Sequence, residues 1–204
     1  MAEPDHYLLA RDKELQTLRE NFNPRRLENL GAEVTSDESI RLPCLKWTLR
    51  IRLDPFEAVV LPEDKPAGIT WQVLALDYLN AFIPPPAREY LSFTDFSELR
   101  TYQDAFEGRV TGRLSHGVGA DAEQLAEAAR ACGGELEGEN PPLWTFQFFP
   151  LFSLQIVRHA GDEELPPTCH VLFPDNAIKL LSTESVIVAA EKLVSSLSGR
   201  GPAK

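Results

Sequence analysis

The chain is predicted to fold as a single α+β domain, a largely antiparallel sheet covered by several helices, with a peripheral N-terminal helix. Three observations carry that expectation. KWTLRIRL alternates strictly: Trp47, Leu49, Ile51 and Leu53 fall on one side and Thr48, Arg50 and Arg52 on the other, the pattern of a half-buried antiparallel strand. Other segments carry apolar residues at helical spacing behind Thr or Asp caps. The 204 residues, 43% hydrophobic and 25% charged, suit one globular domain with a sizeable core. Residues 1–198 are assigned to that domain and 199–204 to a disordered tail.

In chain order, Leu8, Leu15, Leu18 and Phe22 recur at helical spacing, so residues 5–21 read as an amphipathic helix. Asn23-Pro24 breaks it, and Gly31 can cap a short turn after Leu27 and Leu30. Residues 39–42 and 57–61 are expected to flank the Trp47 strand in a small meander. Thr70 is expected to cap a helix carrying Val73, Leu74, Leu76, Tyr78, Leu79 and Phe82, nearly all apolar and therefore central, which Pro84-Pro85-Pro86 ends. A helix over 101–115, with Tyr102, Phe106, Val110 and Leu114, is weakened by Gly108 and Gly112. The next has Asp121 as N-cap, then Leu125, Ala126, Ala129 and Ala131, and stops at Gly133-Gly134.

Strands follow near 143–149, 151–159 and 169–173. A last helix opens at Thr183 and Ser185 and carries Val186, Ile187, Ala190, Leu193, Val194 and Leu197. WTLRI (47–51) and FSLQI (152–156) both open an alternating strand, and each leads to another strand and a Thr-capped helix. A duplication, with matched meanders in one sheet, or convergent patterning produces that echo.

Charge and composition exclude several function classes. The net charge of −11 opposes sequence-independent binding to nucleic acid or anionic lipid, and the short basic runs are only Arg25-Arg26 and Arg109 with Arg113. No apolar run reaches the ~20 residues a membrane-spanning helix needs, and the N-terminus lacks a signal-peptide apolar core, so the protein is expected in the cytoplasm. Cys44, Cys132 and Cys169 lie far apart, which suits a reducing compartment and argues against an iron–sulfur cluster held by this chain alone.

The densest chemistry lies in 151–188, where two strand candidates flank an acidic double-proline loop. It crowds Asp162, Glu163 and Glu164 between His159 and Cys169-His170. Pairing of the strands as a hairpin brings His159 and His170 together, and two imidazoles plus a carboxylate suit zinc or a similar ion. Cys169 and His170 alternate faces, so both reach one ion only through a bulge. An acidic hairpin tip that keeps the strand pair in water is the simpler reading, and no metal is favoured.

Other motifs are weaker. GVGADA (117–122) matches a dinucleotide fingerprint, but polar RVTGRLSH precedes it, and Asp121 and Glu123 would repel a pyrophosphate, so GVG reads as a hinge between helices. His116 in LSHGVG stands where cobalamin-binding modules carry a cobalt-ligating His, with Leu114 in place of the orienting Asp; a solvent-facing helix-end histidine explains it more simply. No nucleophile elbow is present. Trp144, Phe146, Phe148, Phe149 and Phe152 read first as core, and otherwise as a pocket for a flat ligand such as a tetrapyrrole.

The segments LDYL (76–79), YLSFTDF (90–96), YQDAFEGR (102–109), a helix ending in CGGE (132–135), GDEELPP (161–167) and VLFPDNAIKLLSTE (171–184) resemble, in pattern and order, the domain-of-unknown-function family numbered 3786, from anaerobic bacteria and archaea. The resemblance covers most of the chain from about residue 35. Some relatives are joined to a four-cysteine iron–sulfur module like that of corrinoid proteins, which implies a link to anaerobic one-carbon or corrinoid metabolism; this chain lacks the module. By position the resemblance singles out Tyr102, Phe106, Arg109, Asp162 and Glu163. Tyr102, Phe106 and Arg109, at i, i+4 and i+7, would offer aromatic and cationic groups to one ligand. Alternatively Arg109 pairs with Asp162 or Glu163 and ties helix to hairpin, the simpler expectation.

The leading expectation is a non-enzymatic cytosolic binding or accessory protein for a cofactor (corrinoid or iron–sulfur) or redox partner in anaerobic metabolism. The rivals are a metal protein or enzyme using His159 and His170, and a protein-binding module acting through exposed aromatics.

Overall fold

Two sheets, not one, carry the antiparallel pairing. The computed structural model describes residues 5–36 and 39–203. The first half runs α1 (Asp5–Glu20), α2 (Pro24–Asn29), β1 (Glu33–Val34), β2 (Ile40–Cys44), β3 (Trp47–Leu53), β4 (Phe56–Leu61), β5 (Lys65–Pro66) and α3 (Ile69–Asn80). Its strands form a meander in the order β1-β2-β3-β4-β5. The second half runs β6 (Tyr90–Ser92), α4 (Gln103–Phe106), α5 (Gly112–His116), α6 (Ala122–Ala131), β7 (Glu135–Glu139), β8 (Pro142–Phe149), β9 (Phe152–His159), β10 (Thr168–Pro174), α7 (Ala177–Leu180) and α8 (Thr183–Leu197). Its strand order is β6-β10-β9-β8-β7.

The α+β class and the antiparallel character hold. Leu49 and Ile51 of β3 are buried, and the expected alternation is present. All five aromatics Trp144, Phe146, Phe148, Phe149 and Phe152 are core residues. A bulge between Gln147 and Phe149 turns both Phe148 and Phe149 inward, where Phe148 stacks on Trp71 of α3 with centroids 5.4 Å apart. That packing leaves them no pocket for a tetrapyrrole and no exposed face for a partner.

The sequence echo has a structural counterpart. Each half places a helix, a left-handed glycine and four antiparallel strands in succession: α2, Gly31 (φ 83°) and β1–β4, then α6, Gly133 (φ 81°) and β7–β10. The segments WTLRI and FSLQI open the middle strand of each sheet. The contacts are reciprocal, with Gly31 against Pro150 at the β8–β9 turn and Gly133 against Lys46 at the β2–β3 turn. A Cβ on Gly31 would sit 2.3 Å from Pro150 Cβ, so glycine is needed there for space as well as for its positive φ.

Three boundary expectations are corrected. Gly68, not Thr70, occupies the N-cap of α3. Ser182, not Thr183, caps α8, its hydroxyl accepting the Ser185 N–H. The C-terminal segment is docked: the Gly68 N–H bonds to the Pro202 carbonyl at 2.9 Å and Ala203 bridges Ala67, while Lys204 lies outside the described residues. Among the described residues no helix is long and apolar enough to cross a membrane.

Candidate functional site

The expected 101–115 helix forms, but not as a uniform α-helix. A 3-10 segment over Ser97–Tyr102 leads into α4, a π turn over Glu107–Thr111 follows, and α5 completes the run. The Gly112 N–H bonds back to the Glu107 carbonyl, an i to i+5 closure. A Cβ on Gly112 would lie 3.0 Å from that carbonyl oxygen, so the wide turn favours glycine at this position. Isolated π turns are frequently found at functional sites, and this one lies beside a cleft.

That cleft is half-open, with a volume of about 600 Å³. Small-molecule sites typically occupy roughly 300–1,000 Å³. Phe93 and Phe106, both buried, stack with centroids 3.9 Å apart and planes 7° apart, and Phe173 backs them. Gln103, Glu107, Thr111, Ser115 and His116 line the helical wall. Pro166, Pro167, Thr168, His170 and Val171 line the wall made by the hairpin. The hairpin is the one expected: β9 and β10 pair antiparallel with His159 opposite Thr168 and Val157 opposite His170.

Two buried polar contacts fix the helical wall on the hairpin. β6 pairs with β10 only at Leu172–Pro174, because the Asp95 carboxylate accepts the Ser92 N–H and turns the chain into a 3-10 segment. Upstream, α5 covers the edge of β10, where the buried Ser115 hydroxyl accepts the Cys169 N–H. Arg158, also buried, donates from Nε to the Gly119 carbonyl at 2.9 Å and from Nη2 to the Ala120 carbonyl at 3.0 Å. The GVG hinge between α5 and α6 is thereby pinned to β9.

His116 ends α5 at the cleft rim. Its Nδ1 lies 2.8 Å from the Gly112 carbonyl oxygen. A carbonyl only accepts, so Nδ1 carries the proton and Nε2 of the neutral ring remains an acceptor or metal ligand. On the opposite wall His170 is exposed and stands edge to face with His159, centroids 5.5 Å apart. Cys169 points into the core and His170 out of it, as strand alternation requires.

The other singled-out residues separate. Phe106 lies at the cleft. Tyr102, 45% exposed, lines a different cavity. Arg109 neither faces a shared ligand with them nor ties the hairpin; its Nη1 pairs with Glu191 Oε1 of α8 at 3.6 Å. The i, i+4, i+7 spacing assumed one helical pitch, and the change from 3-10 through α to π shifts the angle between these side chains. Asp162 serves the hairpin tip, its Oδ1 accepting the Glu164 and Leu165 N–H groups at 2.9 and 2.8 Å. Those bonds hold its carboxyl below the usual range. Glu163 is exposed at the same tip.

Among the described residues no three His, Cys, Asp or Glu side chains are grouped to share a metal ion. The thiols do not suit an iron–sulfur cluster, which binds thiolates. Cys44, Cys132 and Cys169 are all buried, on β2, after α6 and on β10. Burial pushes the Cys44 thiol up to about 12 and Cys169 up to about 11, so both stay protonated.

Sequence reasoning missed Ser115 and Arg158. A signal existed for Arg158, since the inward alternation Phe152, Leu154, Ile156 continues onto it. Ser115 had none.

A family model described as Domain of unknown function (DUF3786) matches residues 24–196. No curated protein and no solved structure matches the chain.

Proposed function

The chain belongs to the DUF3786 family, and from that premise and the geometry of the cleft we propose that it is a non-enzymatic accessory protein of the cytoplasm that binds a small planar cofactor. The observation that carries this reading is His116: an imidazole with Nδ1 committed to Gly112 and Nε2 unused, at the rim of an apolar cleft of about 600 Å³. Phe93, Phe106 and Val171 would contact the ring system and the His116 imidazole would hold its metal. A corrinoid is the class proposed, with His116 as the residue that would hold its cobalt and His170 on the facing wall. Bound there, such a group would supply the metal-centred chemistry of anaerobic metabolism, while the chain holds it and shields one face from water.

The test is purification without an affinity tag under anaerobic conditions, followed by visible absorbance and mass analysis of the small molecules that accompany the protein. A co-purifying ring cofactor that departs from the His116→Ala variant supports the proposal. Protein free of any such molecule, and unable to take one up on incubation, counts against it.

A second reading has one observation in its favour. The edge-to-face imidazoles of His159 and His170 offer two nitrogen donors to a divalent ion. Zinc titration with the His159→Ala variant tests it, and the same affinity in variant and wild type removes it.

A further inference from the structure

A second cavity, of about 490 Å³, is bounded by α1, α3, Tyr102 and the first turn of α8. Tyr7 and Tyr102 supply aromatic rings to its lining, and Val73, Leu74 and Val188 supply apolar surface. Three carboxylates, Glu14, Asp77 and Glu184, line it together with one ammonium, Lys13. Lys13 already lies 3.8 Å from Glu14. The N-terminus of α8, an end that ordinarily attracts anions, is served from within: Asp77 Oδ2 accepts the Ser182 N–H at 3.0 Å and its hydroxyl at 2.8 Å. An external anion would meet that carboxylate, and a cation would be drawn to it.

We propose that this cavity binds a small alkylammonium cation, recognised by the rings of Tyr7 and Tyr102 and the carboxylates of Asp77 and Glu184. Aromatic faces beside carboxylates over an apolar floor are the combination that selects organic cations, the rings meeting the charge and the floor the alkyl groups. Asp77 is held in place by Ser182, so its charge is positioned before a ligand arrives. Burial is the main cause that pushes the Tyr7 hydroxyl up; the charges of Glu191 and Glu184 add to it and Arg109 opposes. This site is independent of the histidine-rimmed cleft.

Titration with tetramethylammonium chloride, followed by the NMR signals of Tyr7 and Tyr102 and matched with potassium chloride, tests the proposal. Saturable shifts are expected with the organic cation alone. The Tyr102→Ala variant, which alters an exposed side chain, should weaken binding by about two- to fivefold, Glu184→Gln should also weaken it, and Tyr102→Phe should retain it. Shifts that match those of potassium, or equal affinity in Tyr102→Ala and wild type, overturn it.

Discussion

The Ser115 hydroxyl accepts the backbone N–H of Cys169 at 2.9 Å, both residues being buried, and this joins the helical wall of the cleft to the strand opposite. It also closes the edge of β10 that β6 leaves unpaired. An added strand therefore has no free donor at Cys169, which disfavours strand addition as a use of this groove. Ser115→Ala leaves a buried N–H unsatisfied and should cost about 1–3 kcal/mol. Urea unfolding measures it; a loss below the error of the method would show that the bond has no structural weight.

Arg109 and Glu191 form the ion pair that the hairpin was expected to supply. Arg109 is 70% exposed, so a double-mutant cycle between them should give no more than about 1 kcal/mol. The parallel cycle between Arg109 and Asp162 should give zero coupling. Measurable coupling to Asp162 would restore the tie between helix and hairpin and contradict the structure.

Cys44 and Cys169 impose a pH dependence at the alkaline end. Their folded-state values, about 12 and about 11, stand above the ordinary 9.0 because burial disfavours the thiolate; Arg158 offsets part of this at Cys169. Below the unfolded value both states keep the proton, and the thiol contribution to stability is fully present. As pH rises from about 9 towards 11–12 the unfolded chain ionises first, so that contribution is lost. The unfolding midpoint should fall over this window, and less steeply in Cys44→Ala. Equal slopes would mean that Cys44 is not shielded as described.

Legibility followed local periodicity. The alternation of Trp47–Leu53 and Phe152–His159 predicted both central strands, and hence the hairpin that carries His170. β1, β5 and β6 are two or three residues long, too short for any period to register. Splitting of the strands between two sheets is decided by tertiary contacts such as Gly31 with Pro150, which no local pattern encodes. The candidate site was half legible. Phe106 and His170 meet at one cleft, but the π turn at Glu107–Thr111 rotates Arg109 towards α8, and His116 gains its significance only once Gly112 is seen to hold its Nδ1.

The most direct test of the central claim is visible-absorbance titration of aquocobinamide into the wild-type protein and into His116→Ala and His159→Ala. The proposal predicts a band shift diagnostic of imidazole coordination in wild type and in His159→Ala, lost in His116→Ala. Identical spectra in wild type and His116→Ala would contradict it.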